Sequence, residues 1–227
     1  MKVSRPILLV CLLSFACTRS TAEPPAPALM SAFAKNAVIL FQGDSITDGN
    51  RGRNADPNHV MGHGYAFIIA AKYGSMLADR NLTFLNRGVG GNRVGHLRDR
   101  WQKDTLDLKP DLLSILVGIN DANGGVSARD YEERYDQLLA TTVAALPNLK
   151  LVICEPFRLP VNDQVKAFQD IAGRLAAKYH ARLVRFQRVC DAATYRVRRI
   201  PRPVASVRRV VRTWRWPARR RRTRCRW

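Results

Sequence analysis

Short, mostly apolar runs alternate along this chain with longer stretches whose apolar positions recur every three or four residues. The runs Ala37 to Phe41, Leu82 to Leu85, Leu112 to Val117, Leu149 to Cys154 and Ala181 to Phe186 each predict a buried β-strand. Between them, helical spacing marks four segments. Tyr65 to Arg80 places Phe67, Ile68, Ala71 and Leu77 on one face, and Val94 to Leu106 does the same with Leu97, Trp101 and Leu106. Ala128 to Ala145 offers Tyr131, Tyr135, Leu138, Leu139 and Val143, and Asn162 to His180 offers Val165, Phe168, Ile171, Leu175 and Tyr179. Asn50 to His63 is a polar loop, and Pro110 and Pro147 break the chain before the third and fourth strands. Apolar strands in regular alternation with helices imply an α/β domain with a five-stranded parallel sheet. Right-handed crossovers then place helices on both of its faces. In such sheets ligands bind beyond the carboxyl ends of the strands.

Three of those ends carry polar punctuation. The first strand runs into Gly43-Asp44-Ser45-Ile46-Thr47-Asp48, the second into Gly88-Val89-Gly90-Gly91-Asn92, and the third into Gly118-Ile119-Asn120-Asp121. Taken alone, Gly-Asp-Ser is also an ordinary polar turn, and Asn120 an ordinary cap for a helix or turn after its strand. A dinucleotide loop at Gly88 to Gly95 is disfavoured because Arg93 stands where the third glycine is required.

In this order and spacing the three blocks resemble the SGNH hydrolases, or GDSL-type esterases. The run from Gly88 to Asp121, including Arg100-Trp101 and Lys109-Pro110-Asp111, is most similar to carbohydrate acetylesterases and lysophospholipase-like members. The resemblance implies a flavodoxin-like doubly wound fold over residues 37–193. It also implies Ser45 as nucleophile, and an oxyanion hole made by the Ser45 N–H, the Gly91 N–H and the Asn120 side-chain amide. The implied substrate is a small acyl ester, such as an O-acetyl group on polysaccharide or a lysophospholipid-type ester, cleaved through an acyl-enzyme. Asp44 and Asp48 are expected to brace the loop. No cofactor, metal or obligate protein partner is called for.

One block is missing. The family carries an Asp and a His three residues apart after the fifth strand, the His activating the serine, whereas here the last Asp is Asp191 and the last His is His180. His180 ends a helix that returns to the amino edge of the sheet, the wrong side for catalysis. His59, His63 and His96 lie in or just after loops on the right edge and are the candidate substitutes. Without a base, turnover at Ser45 is expected to be slow.

Composition sharpens two points. Lys2 and Arg5, the apolar stretch Ile7 to Ala16 and the small exit Ser20-Thr21-Ala22 have the layout of a secretory signal peptide over residues 1–22, too short to span a bilayer. The expectation is an exported protein, periplasmic or extracellular, with residues 23–36 as a proline-containing linker. A lipidated Cys17 is disfavoured, because no leucine stands three residues before it. Three scattered cysteines remain beyond the leader, Cys154, Cys190 and Cys225, which is no disulfide framework.

The net charge of +20 belongs to the end of the chain, for residues 196–227 hold 14 Arg and no Asp, Glu or Lys, leaving +6 on residues 1–195. An Arg block of this kind suits nucleic acid or an anionic surface, and this tail, residues 194–227, carries the alternative of a non-catalytic binder of nucleic acid or carbohydrate. Arg without Lys is also what GC-rich DNA yields out of frame. Thr213 to Pro217 read one base earlier gives a Leu/Met/Val-Ala repeat, similar to the helix that follows the family's catalytic His. The favoured expectation is a shifted or truncated frame, with the closing C-terminal helix lost.

Overall fold

The computed structural model describes residues 32–54 and 59–199. The expected signal peptide, most of the linker, and the Arg-rich segment beyond Arg199 lie outside the described residues. Five strands, β1 (Val38–Gly43), β2 (Thr83–Asn86), β3 (Leu112–Leu116), β4 (Lys150–Cys154) and β5 (Arg182–Val184), form one sheet in the order β2-β1-β3-β4-β5. Every pairing is parallel, with Gly43 opposite Leu116 where β1 and β3 end together. This is the doubly wound order, in which the connection reverses direction at the β1/β3 boundary and opens a crevice there.

Strand alternation sorts the core into two layers. Leu40, Leu113, Ile115, Leu151 and Ile153 point to one face, with α3 (Val94–Asp99), α5 (Ala128–Ala145) and α6 (Asp163–Lys178) over them. Phe168 of α6 stacks on Tyr131 of α5 with ring centroids 4.2 Å apart, both rings fully buried. Ile39, Phe41, Leu112, Leu116, Val152 and Cys154 point the other way, toward α2 (Tyr65–Met76). Short helices α1 (Ser45–Asp48) and α4 (Ile119–Asn123) follow β1 and β3 directly, and α7 (Phe186–Arg199) follows β5.

The structure departs from the sequence reading in three places. The buried side of α2 is Ala66, with Tyr65, Ile69 and Tyr73 packed beside it, whereas Phe67 and Ile68 are 49% and 64% exposed and Ala71 is exposed. Tyr65–Met76 is apolar on nearly every side, so its periodicity does not choose a face. The second predicted helix is α3 followed by a π-helical turn, Gln102–Leu106, which still buries Trp101.

The third departure is α7 itself, a 14-residue helix where the closing helix was expected to be lost. Ala and Arg are strong helix formers and no proline falls before Pro201, so the segment is helical despite its charge. Of its side chains through Thr194, only Gln187 is buried. An open groove of about 920 Å³ lies at the amino ends of β3 to β5, lined by Ala32, Leu112, Val152 and Leu183.

Candidate active site

The expected nucleophile stands where a strand is forced into a helix. Gly43 ends β1 at φ +155°, and a Cβ there would run into the carbonyl oxygen of Leu116 and the hydroxyl of Thr47. Only glycine fits, and the sharp turn it allows starts α1 at Ser45. Asp44 caps that helix, its carboxylate accepting from the Ile46 N–H at 3.0 Å. Ser45 is exposed at the carboxyl edge of the sheet. Among the described residues nothing is hydrogen-bonded to its hydroxyl.

The loop after β2 lies against α1. A Cβ built on Gly90 would sit 3.9 Å from the Ser45 Cβ, which makes the two residues neighbours. Three carboxylate or amide groups pin alternate residues of this loop. Asp48 Oδ2 accepts from the Gly90 N–H at 2.9 Å, the Asn120 amide donates to the Asn92 carbonyl at 3.0 Å, and Asp121 accepts from the Val94 N–H at 3.2 Å. Gly91 falls between the pinned positions at φ +78°, exposed, with open space around it.

Among the described residues no acceptor faces the N–H of Ser45 or of Gly91. The Asn120 amide has two hydrogens and gives one to Asn92, which leaves the second free. Asn120 is the second residue of α4, whose cap is Gly118, so its side chain is not a helix cap. Ser45, Gly91 and Asn120 thus occupy the carboxyl ends of three adjacent strands and carry, among the described residues, three uncommitted donors and one uncommitted hydroxyl. Such a constellation can stabilise the oxyanion of a tetrahedral intermediate, each donor contributing roughly 3 to 4 kcal/mol in known cases.

Two buried carboxyls lie under the site. Burial pushes the Asp44 pKa up to about 6, the Ile46 hydrogen bond opposes this, and the nearby Asp121 adds to the rise. Burial raises Asp121 as well, against the pull of its bond from Val94. Asp48 behaves oppositely. Burial works to raise its pKa, but the hydrogen bond from Arg53, with those from the Gly90 and Arg51 N–H groups, outweighs burial and holds it below the ordinary carboxylate range. Both Asp44 and Asp48 brace the loop, as their positions in the sequence suggested.

The base is not found beside the serine. His59 and His63 stack edge-on with centroids 5.6 Å apart across the Asn50–Asn54 loop. His96 is held in the first turn of α3, its Nδ1 accepting from the Arg93 N–H at 3.2 Å. His180 lies at the opposite edge, in the groove with Leu112, Lys150 and Arg182, the first residues of β3, β4 and β5. Among the described residues no histidine is hydrogen-bonded to Ser45. Nor do three or more His, Cys, Asp or Glu side chains gather there as a metal cluster would need.

A parallel doubly wound sheet presenting a serine and three donors at its topological switch point defines the SGNH class of ester hydrolase. The chain belongs to the GDSL-like lipase/acylhydrolase family, whose model matches residues 41–202. It is 29% identical over 149 residues to an acetylxylan esterase of Geobacillus stearothermophilus, covering 60% of this chain and 68% of that one. A candidate GDSL-like lipase from Parabacteroides merdae superposes with a TM-score of 0.68 at 36% identity, covering 71% of this chain and 83% of the other. The Geobacillus enzyme Axe2, in a catalytic mutant with an aspartate changed to alanine, superposes with a TM-score of 0.64 at 25% identity, over 76% and 84% of the two chains. Catalytic mutants of Axe2 at a histidine and at a serine have also been solved.

Proposed function

We propose that this chain is an exported serine esterase that removes small acyl groups, O-acetyl foremost, from a carbohydrate. Ser45 attacks the ester carbonyl, and the N–H groups of Ser45 and Gly91 and the free hydrogen of Asn120 receive the developing negative charge. The acyl group passes to Ser45 Oγ, the alcohol leaves with the proton, and water then releases the acid. The observation that supports this reading is an unpartnered serine hydroxyl and three donors without acceptors among the described residues, carried at the carboxyl ends of three adjacent strands. The acetylxylan esterase relative favours carbohydrate as the alcohol.

A second reading, a binder of acylated carbohydrate that turns over slowly, is favoured by one observation. No histidine among the described residues reaches Ser45, and an unassisted hydroxyl is a weak nucleophile at neutral pH. Hydrolysis of p-nitrophenyl acetate by the full chain and by Ser45→Ala separates the two readings. The esterase reading expects activity that Ser45→Ala abolishes, and equal rates for both proteins reject it.

A further inference from the structure

Around the stretch Arg87 to Gly90 four arginines gather, Arg51, Arg53, Arg87 and Arg100. Arg51 Nε donates to the Gly88 carbonyl at 2.9 Å, and Arg53 grips Asp48 through both terminal nitrogens, at 3.1 and 2.7 Å. Arg100 reaches the Arg87 carbonyl at 2.8 Å, Asp104 at 3.0 Å and the Asn92 side chain at 3.0 Å. Among the described residues two carboxylates, Asp48 and Asp104, pair with these four cations.

Two of their donors, Arg87 Nε and Arg100 Nη2, are buried with no partner among the described residues. Arg51, Arg53 and Arg87, together with Asn54 and Asn86, line a cleft of about 290 Å³. The excess charge is felt within the cluster, since burial and then the neighbouring guanidiniums lower the pKa of Arg51. Of the two orphaned donors, only that of Arg87 belongs to a residue lining this cleft, and among the described residues one carboxylate, Asp48, pairs with its three guanidiniums, a surplus that suits an anion held in a planar fork.

We propose that this cleft is an anion subsite, which takes a carboxylate or phosphate carried on the alcohol portion of the substrate. Arg87 in its lining directly precedes the Gly88–Gly90 loop that neighbours Ser45, so an ester bound through its charged group lies one short stretch of backbone from the nucleophile. The substrate class becomes an acidic acylated saccharide rather than a neutral one. That the ligand is a substrate rests on the esterase reading; that it binds here does not.

The test uses the full chain, with tri-galacturonate, inorganic phosphate and neutral xylotriose as probes, titrated by calorimetry at low salt. Tri-galacturonate or phosphate should bind the wild type, and Arg87→Gln should weaken that binding about tenfold or more. Xylotriose should not discriminate between the two proteins. On the wild-type chain, the bound anion should also protect Arg87 from phenylglyoxal, read by peptide mass spectrometry, so the outcome does not hang on how Arg87→Gln folds. Protection by tri-galacturonate assigns a sugar carboxylate, and protection by phosphate alone assigns a phosphate ester.

Equal anion affinity in the wild type and Arg87→Gln, or unchanged modification of Arg87, overturns the proposal. Equal affinity would place the binding on the Arg-rich segment that both proteins retain. Calorimetry reads binding without turnover, so failure to hydrolyse p-nitrophenyl acetate leaves the subsite standing. Hydrolysis without anion binding removes the subsite alone.

Discussion

Replacing Asp48 by asparagine tests how the oxyanion loop is held. Asp48 is 8% exposed and accepts from the Gly90 N–H at 2.9 Å, the Arg51 N–H at 3.1 Å and both arms of Arg53. Asparagine keeps one oxygen and sets an NH₂ against donors on the other side. Whichever way it turns, a backbone N–H and one arm of Arg53 lose their acceptor. The orphaned backbone donor costs about 1 to 3 kcal/mol. The Arg53 side chain is half exposed, so its ion pair adds only about 0.2 to 1 kcal/mol after solvent screening. The sum is about 1 to 4 kcal/mol, read as a lower urea midpoint at unchanged slope.

The pH dependence fixes the cause. The folded pKa of Asp48 lies below its unfolded value of about 3.9, so its contribution is complete above that pH and is lost as the pH falls through the folded value. The gap between wild type and Asp48→Asn should therefore be full at pH 7 and close in acid, where a protonated Asp48 resembles Asn. Freed from Asp48, the Gly90–Gly91 peptide should also lose its aim, lowering kcat roughly 100-fold with little change in KM. A stability gap under about 0.5 kcal/mol at pH 7, or one that persists unchanged into acid, refutes the bracing role.

Two further substitutions bear on the same turn. Gly43→Ala adds a Cβ into the Leu116 carbonyl and the Thr47 hydroxyl at a positive φ, and should cost about 3 kcal/mol, or roughly 6 to 12 °C in Tm by scanning calorimetry. A Tm within about 2 °C of wild type would show that the backbone there relaxes freely. For Asp44 the folded pKa, about 6, lies above the unfolded one, so its stabilisation is complete below the unfolded value and is lost as the pH rises to about 6. That loss is about 3 kcal/mol, and Asp44→Asn should abolish this segment of the stability curve, giving a more stable protein than wild type at pH 8. Parallel urea midpoints for the two proteins from pH 4 to pH 8 would contradict it.

The sequence by itself determined the sheet and the order of its chemistry. Largely apolar runs at Leu112 to Val117 and Leu149 to Cys154, broken by Ser114 and Lys150 alone, are best satisfied between two helical layers, and α5 was legible over its whole length. Glycines and polar residues at the three strand ends marked Ser45, Gly91 and Asn120 as the candidates, and the structure sets all three at the carboxyl ends of adjacent strands. Two things were left to the tertiary structure. One was the face of α2, since Tyr65–Met76 is apolar all round and only the sheet beneath it selects Ala66 over Phe67. The other was what each polar group has left to give. That Asp48, Asn120 and Asp121 fasten residues 90, 92 and 94 while the N–H of residue 91 stays free depends on contacts spanning 27 to 42 positions of sequence. Local propensity decides which turns form, but hydrogen-bond satisfaction is settled only when distant segments close on one another.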